Sequence, residues 1–212
     1  MSPTRTATRG LRSRLPTSQR ARSRRRRWTL LLVAALLGGG VAIAITQIDF
    51  EKAIRELTLP LRHDDIIRQQ AAQKDLDPAL IAAVIYEESK FREDQRSSAG
   101  ALGLMQITPR TAHVIAHLSG GTQFVTGDLS DPEINISYGS YYLRYLLQRY
   151  GGNEVAALAA YNAGTGNVDE WGGSDLDLDS IRFPETRSYV EDVLAKRPEY
   201  ADKYAQDLGL RG

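Results

Sequence analysis

The stretch Pro78-Ala79-Leu80-Ile81-Ala82-Ala83-Val84-Ile85-Tyr86-Glu87-Glu88-Ser89 decides the fold class. It follows Asp77, and aspartate before proline is a common start of a helix. Its larger apolar side chains recur at the spacing of one helix face; they are Leu80, Ile81, Val84 and Ile85. The pattern predicts a helix over residues 78–89.

Two adjacent carboxylates end this helix, and helix geometry distinguishes them. At about 100° per residue, Glu88 falls in the middle of the apolar stripe and Glu87 falls on its flank. A carboxyl on an apolar face is partly desolvated, which raises its pKa. A general acid for glycosidic cleavage needs a raised pKa. Geometry alone leaves another interpretation open, and a more common one: a capped or solvent-reaching glutamate near a helix end.

Helical periodicity continues on both sides of this segment and predicts one mainly α-helical domain over residues 61–212. Further helices are expected at about 64–74, from 108 through His113 and His117, at 131–150, 154–163 and 184–194. The glycine- and aspartate-rich stretch 168–180 is predicted to be a loop, and a charged tail is expected after Leu194.

The N-terminal part of the chain has a different composition. Residues 28–48 carry no charge, and 21 residues at about 1.5 Å each span roughly 30 Å, the thickness of a hydrocarbon core. Residues 1–27 hold ten arginines and no acid, so the positive-inside rule predicts a basic cytoplasmic tail, a transmembrane signal anchor at 28–48, a linker at 49–60 and an extracytoplasmic domain. A cleaved signal peptide remains the alternative.

Charge and cysteine content exclude several classes of function. Residues 28–212 contain 17 basic and 26 acidic groups, so the folded part is acidic. We expect no nucleic-acid partner, because arginines directly before an apolar span are explained by topology and anionic headgroups. The absence of cysteine excludes disulfides, thiolate metal sites and a cysteine nucleophile.

Four separated blocks, in order, resemble the soluble lytic transglycosylase (SLT) domain family, which is related to goose-type lysozyme. They are 78–85 leading into Glu88-Ser89, then 97–106 with Gly103-Leu104-Met105-Gln106, then 131–143 with Asn135-Ile136, and 159–164 with Tyr161-Asn162. A closing Glu185-Thr186-Arg187-Ser188-Tyr189-Val190 also looks like the family's terminal segment. The resemblance covers about residues 61–195.

The resemblance implies a lysozyme-like α+β fold with a substrate groove and Glu88 as the catalytic acid. The family's substrate-binding positions correspond here to Ser89, Ser97, Met105, Gln106, Tyr161, Asn162 and Glu185. Most of them also have a purely structural interpretation. Met105 and Tyr161 are also consistent with core packing, Ser89 and Asn162 with a helix end or turn, and Glu185 with the first turn of a helix.

The resemblance further implies a peptidoglycan lytic transglycosylase. Together with the anchor predicted at 28–48, this predicts a single-pass protein of the bacterial inner membrane with its catalytic domain on the periplasmic side. Such an enzyme cuts the β-1,4 bond between N-acetylmuramic acid and N-acetylglucosamine and leaves 1,6-anhydromuramyl ends. It needs no metal or cofactor, and His113 and His117 lack the intervening glutamate of a zinc motif.

Two alternatives remain open at this point. One is a hydrolytic lysozyme on the same scaffold, which needs a second carboxylate that the sequence does not reveal. The other is a non-catalytic glycan-binding module of the envelope. The tyrosines at 138, 142 and 145 form one helix stripe, for which core packing is favoured over sugar stacking.

Overall fold

The computed structural model describes Val33, Ile54 and residues 56–118 and 126–210. The chain divides into two compact units, residues 1–54 and 55–212, and the helices below belong to the second. In the described part of the chain, no helix is long and apolar enough to cross a membrane. The predicted span 28–48 lies outside the described residues, apart from Val33.

Seven α-helices occupy the described part of the second unit. They are α1 (Asp64–Lys74), α2 (Pro78–Ser89), α3 (Pro109–Leu118), α4 (Pro132–Arg149), α5 (Glu154–Ala163), α6 (Thr165–Trp171) and α7 (Pro184–Lys203). Short 3-10 helices lie at Thr126–Ser130 and Gly173–Asp175. The mainly helical fold and the predicted positions of α1 to α5 are therefore confirmed.

Side-chain caps start three of these helices. The Asp77 carboxylate accepts a hydrogen bond from the Ala79 backbone, 2.8 Å away. Asp131 does the same for the first turn of α4, and Asn153 for that of α5. Each cap satisfies a backbone N–H that has no partner within its helix, so the predicted helix starts at Asp77 and Asp131 are confirmed.

Helix α2 lies at the centre of the core. Every residue from Ala79 to Ile85 is buried, and the helix packs mainly against α7 and also against α1. Helix α5 packs against α4, α6 and α7. Because α2 is enclosed on nearly all sides, its C-terminal end is held rigidly where Glu88 emerges.

The last helix is longer than predicted, since α7 continues to Lys203 and contains Pro198. Contacts outside the helix hold this extension. The Tyr200 hydroxyl donates to the Pro60 carbonyl at 2.7 Å, and the Arg197 guanidinium forms two hydrogen bonds to Glu154, at 2.8 and 2.9 Å. The expected charged tail after Leu194 is therefore wrong, because tertiary contacts outweigh the local cost of a proline.

The stretch 168–180 is also more ordered than predicted. Its first residues complete α6, which buries Val168 and Trp171 against the core. Glycines at 164 and 166 follow the helix predicted at 154–163. Gly164, with φ of 88°, ends α5 and begins α6 directly. A left-handed glycine can redirect the chain within a single residue.

The β component of the expected α+β fold is small. Among the described residues it consists of two isolated antiparallel bridges, Arg96 to Leu102 and Leu102 to Ile107. These bridges fold residues 96–107 into a compact turn beside the end of α2. We call residues 101–107 the active-site turn, because Ala101, Gln106 and Ile107 line the same cavity as Glu88.

Candidate active site

Glu88 lines a cavity of about 240 Å³ at the C-terminal end of α2. The other lining residues come from the active-site turn and its flanks, from α3, α4 and α5; they are Ser97, Ala99, Ala101, Gln106, Ile107, Thr108, Thr111, Tyr142, Tyr161 and Asn162. The structure thus brings together five of the predicted site residues: Glu88, Ser97, Gln106, Tyr161 and Asn162.

Gln106 is held by backbone groups of its own turn and of the preceding loop. Its side-chain amide donates to the carbonyl oxygens of Gln95 at 3.1 Å and Gly103 at 2.9 Å. Its φ of 48° is left-handed, an uncommon conformation for a residue other than glycine. Such strain persists only where the surroundings fix it, and it is frequent at functional sites.

A buried asparagine anchors the active-site turn to α4. Asn135 accepts a hydrogen bond from the Met105 backbone at 2.7 Å and donates to the Leu102 and Leu129 carbonyls at 2.8 and 2.9 Å. The side chain therefore satisfies three backbone groups from two separate segments. The sequence blocks contain Asn135, but no role for it follows from the sequence.

Tyr161 and Asn162 form the wall that faces this turn. The Tyr161 hydroxyl donates to the Met105 carbonyl at 2.9 Å, so the ring bridges α5 and the active-site turn. Asn162 accepts a hydrogen bond from the Thr186 hydroxyl at 2.8 Å, which ties it to the first turn of α7. Tyr161 has two sequence-based interpretations, core packing and a role in the site. Core packing alone does not account for its place in the cavity wall.

Three predicted site residues do not line this cavity. Met105 is 0% exposed and packs against Gly139 and Ser140. Ser89 is also buried, and its hydroxyl donates to the Ile85 carbonyl one turn earlier. Glu185 is exposed and lies outside the cavity lining. Met105 therefore lies in the core and Ser89 at the helix end, both outside the lining of this cavity, and their role in substrate binding stays a prediction.

Burial changes the acidity of Glu88. Desolvation of its carboxyl raises the pKa from 4.5 to about 7. The nearby Tyr189 hydroxyl opposes this shift, and the negative charge of Glu87 adds to it. Glu87 itself forms an ion pair with Lys90 at 2.8 Å. A carboxyl with a pKa near 7 is able both to donate and to accept a proton near neutral pH.

Tyr189 is the neighbour of Glu88 that the sequence did not single out, although it lies in the closing segment of the resemblance. Its hydroxyl is buried, and none of the described residues forms a hydrogen bond of normal geometry with it. Its interaction with the Glu88 carboxylate still favours the ionised form and lowers the pKa of Glu88. The proximity arises because α7 packs along α2, which no local pattern reveals.

We expect Tyr189→Phe to raise the pKa of Glu88 further, because the variant loses a hydroxyl that favours the carboxylate. A proton donor with a higher pKa stays protonated to higher pH, so the alkaline limb of the kcat/KM profile should move upward in pH. Tyr204→Phe is the control, since that hydroxyl donates to the Leu59 carbonyl instead. An alkaline limb that moves downward or stays in place in Tyr189→Phe contradicts this role.

Glu88 has no carboxylate partner within the cavity. Of the described residues that line it, only Glu88 carries a carboxyl group. The acids considered from the sequence, Asp94, Asp128, Asp131, Glu133 and Glu185, are all absent from the lining. Asp131 is instead the cap of α4. Within the described lining, the cavity thus holds one carboxyl group, whereas most glycoside hydrolases use a second one as base or nucleophile.

Comparison with known proteins identifies relatives over most of the second unit. The family described as the transglycosylase SLT domain matches residues 65–183. The soluble lytic murein transglycosylase of Escherichia coli is 38% identical over 148 residues, which are 66% of this chain and 23% of that protein. The membrane-bound lytic murein transglycosylase C of Haemophilus influenzae is 34% identical over 137 residues, 60% of this chain and 38% of that protein.

A solved structure agrees with the sequence matches. Lytic transglycosylase Slt of Pseudomonas aeruginosa, determined as an inactive glutamate-to-glutamine mutant, superposes with a TM-score of 0.66 at 34% identity. The superposition covers 71% of this chain and 26% of that one. The chain thus spans about a quarter of the length of the soluble relatives that it matches.

Proposed function

Since the chain belongs to the transglycosylase SLT domain family, we propose that it is a peptidoglycan lytic transglycosylase with Glu88 as its single general acid and base. The observation that carries the proposal is the lone cavity carboxyl, whose pKa is raised to about 7. The relatives named above are lytic transglycosylases, and one of them is described as inactive after a glutamate-to-glutamine change.

The proposed reaction needs one carboxyl group acting twice. Protonated Glu88 gives its proton to the β-1,4 glycosidic oxygen between N-acetylmuramic acid and N-acetylglucosamine, and the bond from that oxygen to the muramyl C1 breaks. Ionised Glu88 then takes the proton of the muramyl 6-hydroxyl while its oxygen bonds to C1. The carboxyl is restored, a 1,6-anhydromuramyl end forms, and no water is consumed.

The residues around Glu88 suit the binding of a neutral glycan. Ser97, Gln106 and Asn162 offer polar groups, and Tyr161 offers an aromatic wall. Because these side chains already form hydrogen bonds, three of them to backbone groups and Asn162 to the Thr186 hydroxyl, little ordering is required when substrate binds. We assign them to substrate positioning.

We also propose that residues 28–48 anchor the enzyme in the bacterial inner membrane with the second unit on the periplasmic side. The support is the uncharged span, the ten arginines before it and the extracytoplasmic substrate. Retention of the full chain in membranes after alkaline washing is the expected result. Release as a shortened soluble chain would instead identify a cleaved signal peptide.

Mass spectrometry of the products tests the proposed activity. Purified sacculi digested with the full chain in detergent should release muropeptides whose muramyl ends are one water lighter than hydrolysed ends. Hydrolysed ends would show that water is the nucleophile and that the protein is a lysozyme. Binding to sacculi without release of any muropeptide would identify a glycan-binding module.

A further inference from the structure

The two side-chain amides that line the cavity are fixed in opposite senses. Gln106 uses its amide nitrogen for two backbone carbonyls, so its Oε1 oxygen is the atom left for a ligand. Asn162 instead accepts a hydrogen bond at its Oδ1 oxygen from the Thr186 hydroxyl, 2.8 Å away. Its amide nitrogen forms no hydrogen bond within residues 56–118 and 126–210. Asn162 therefore offers a ligand N–H donors, where Gln106 offers an acceptor.

A buried hydroxyl decides how the Asn162 amide is oriented. Thr186 is 1% exposed, and the bond to Asn162 is the one hydrogen bond that its hydroxyl forms with the described residues. A buried O–H without an acceptor is costly. The amide nitrogen cannot accept a hydrogen bond, so the amide oxygen of Asn162 has to face Thr186.

Thr186 is itself held in place by the first turn of α7. The Arg187 guanidinium donates to two backbone carbonyls of the preceding loop, at 2.7 and 2.8 Å. On the other side, the Phe183 ring packs edge-on against Trp171, with centroids 4.8 Å apart. Because the chain is fixed on both sides of Thr186, its hydroxyl cannot follow the amide if Asn162 turns.

Packing alone does not require a hydroxyl at position 186. Valine has nearly the same shape as threonine and would fill the buried space without burying a polar group. Asn162 is exposed, so water can replace the hydrogen bond on its side and the bond adds little to stability. What the bond does fix is the direction of the amide in the cavity wall.

We propose that Thr186 is a positioning residue that holds the Asn162 amide with its N–H groups toward substrate, so that this position selects an acceptor oxygen of the glycan. The inference rests on the proposed function and deepens it. An amide that is free to turn spends part of its time with its oxygen toward the glycan oxygen, which repels it. A fixed amide avoids this loss and needs no ordering when substrate binds.

A double-mutant cycle on the full chain tests the proposal, with kcat/KM for release of anhydromuropeptides from sacculi as the measured quantity. Thr186→Val should lower kcat/KM about fivefold, the effect of one hydrogen bond, and mainly through KM. Thr186→Ser keeps the hydroxyl and should stay within about twofold of the wild type. In an Asn162→Ala background, Thr186→Val should change nothing, because Thr186 acts only through Asn162.

Two further variants separate this role from others. Ser188→Ala removes an exposed hydroxyl of the same helix that is absent from the cavity lining, and it should leave kcat/KM unchanged. Asn162→Asp still accepts from Thr186 but offers substrate an oxygen in place of N–H donors. Its kcat/KM should therefore fall at least as far as that of Asn162→Ala.

The pH profile is a measurement that the proposed role should not move. Thr186→Val should keep the alkaline limb of the wild type, in contrast to Tyr189→Phe, because Thr186 acts on Asn162 and not on the Glu88 carboxyl. A shifted limb would assign Thr186 to the proton donor and would overturn the proposal.

Three other results overturn it. One is wild-type kcat/KM in Thr186→Val, or a loss in Thr186→Ser as large as that in Thr186→Val. Another is an equal loss from Thr186→Val with and without Asn162, which would make Thr186 a purely structural residue. The third is wild-type kcat/KM in Asn162→Asp, which would show that the amide oxygen faces substrate.

Failure of the proposed function is a distinct result, since the wild-type chain would then produce no anhydro ends. Affinity for purified glycan strands, measured in a Glu88→Gln background, tests Thr186 independently of the chemistry. Thr186→Val should raise the Kd about fivefold there as well, and an unchanged Kd would overturn the role of Thr186.

Discussion

Glu88→Gln should abolish the release of anhydromuropeptides from sacculi. General acid–base catalysis contributes about 10²- to 10⁴-fold to a rate, and here one carboxyl serves as acid in the first step and as base in the second. We therefore expect a loss of about 10³-fold or more in kcat. Glutamine has nearly the same shape as glutamate, so the cavity and the binding of sacculi should persist.

Glu87→Gln is the matched control, because it removes the neighbouring carboxylate and leaves Glu88 in place. Glu87 pairs with Lys90, and its charge raises the pKa of Glu88. The control should lose no more than a few-fold in kcat, and its alkaline limb should move to lower pH. Undiminished cleavage by Glu88→Gln, or equal losses of kcat in the two variants, would show that Glu88 is not the proton donor.

Glu88→Gln should also change how the stability of the protein depends on pH. The pKa of Glu88 is higher in the folded state, about 7, than its ordinary 4.5. Its contribution to stability is thus fully present below pH 4.5 and is lost as the pH rises through about 7. Relative to wild type, Glu88→Gln should gain up to about 3 kcal/mol between acid and mildly alkaline pH. Urea unfolding at the two pH values measures this gain.

Helix geometry selected the member of the Glu87–Glu88 pair that lines the cavity, but for an incomplete reason. The sequence suggested a helix with one apolar stripe, and Glu88 continues that stripe into the cavity. The structure shows that α2 is enclosed on most sides, with Ala82 and Ala83 fully buried as well. A pattern built on the large apolar side chains does not reveal a second buried face made of alanines, although alanines allow neighbouring helices to approach closely.

Contacts between distant segments account for what the sequence did not predict. The extension of α7 depends on Arg197 meeting Glu154 and on Tyr200 meeting Pro60. The influence of Tyr189 on Glu88 depends on the packing of α7 along α2. Local periodicity contains no information on such pairings, so helix positions were predictable and their mutual contacts were not.

The burial of Met105 follows from the same limitation. The resemblance predicts a position beside substrate, and the structure adds that Gly139 on α4 has no side chain and that the Met105 thioether fills that space. A Cβ at position 139 would lie 2.7 Å from the Cβ of Met105. The methionine therefore fixes the active-site turn from behind, while its backbone carbonyl holds Tyr161 on the cavity side.

Asn135→Ala should cause the largest loss of stability among single substitutions around the active-site turn. The variant leaves the Met105 N–H and the Leu129 carbonyl without their buried partner, while the Leu102 carbonyl keeps the Ile107 N–H at 3.1 Å. An unsatisfied buried polar group costs about 1–3 kcal/mol. With two such groups, we expect the free energy of unfolding to fall by at least about 2 kcal/mol, a large part of the 5–15 kcal/mol typical of a domain.

Asn135 also holds the turn that carries Gln106, so Asn135→Ala should lower activity as well as stability. Urea unfolding of Asn135→Ala should show a lower midpoint, and its kcat should remain reduced at urea concentrations where the variant is still folded. Asn167→Ala is the control, because that side chain makes one hydrogen bond, to the Ala163 carbonyl at 2.7 Å. Its loss should be about 1 kcal/mol or less. Equal unfolding midpoints for the two variants would show that the three bonds of Asn135 do not hold the active-site turn in place.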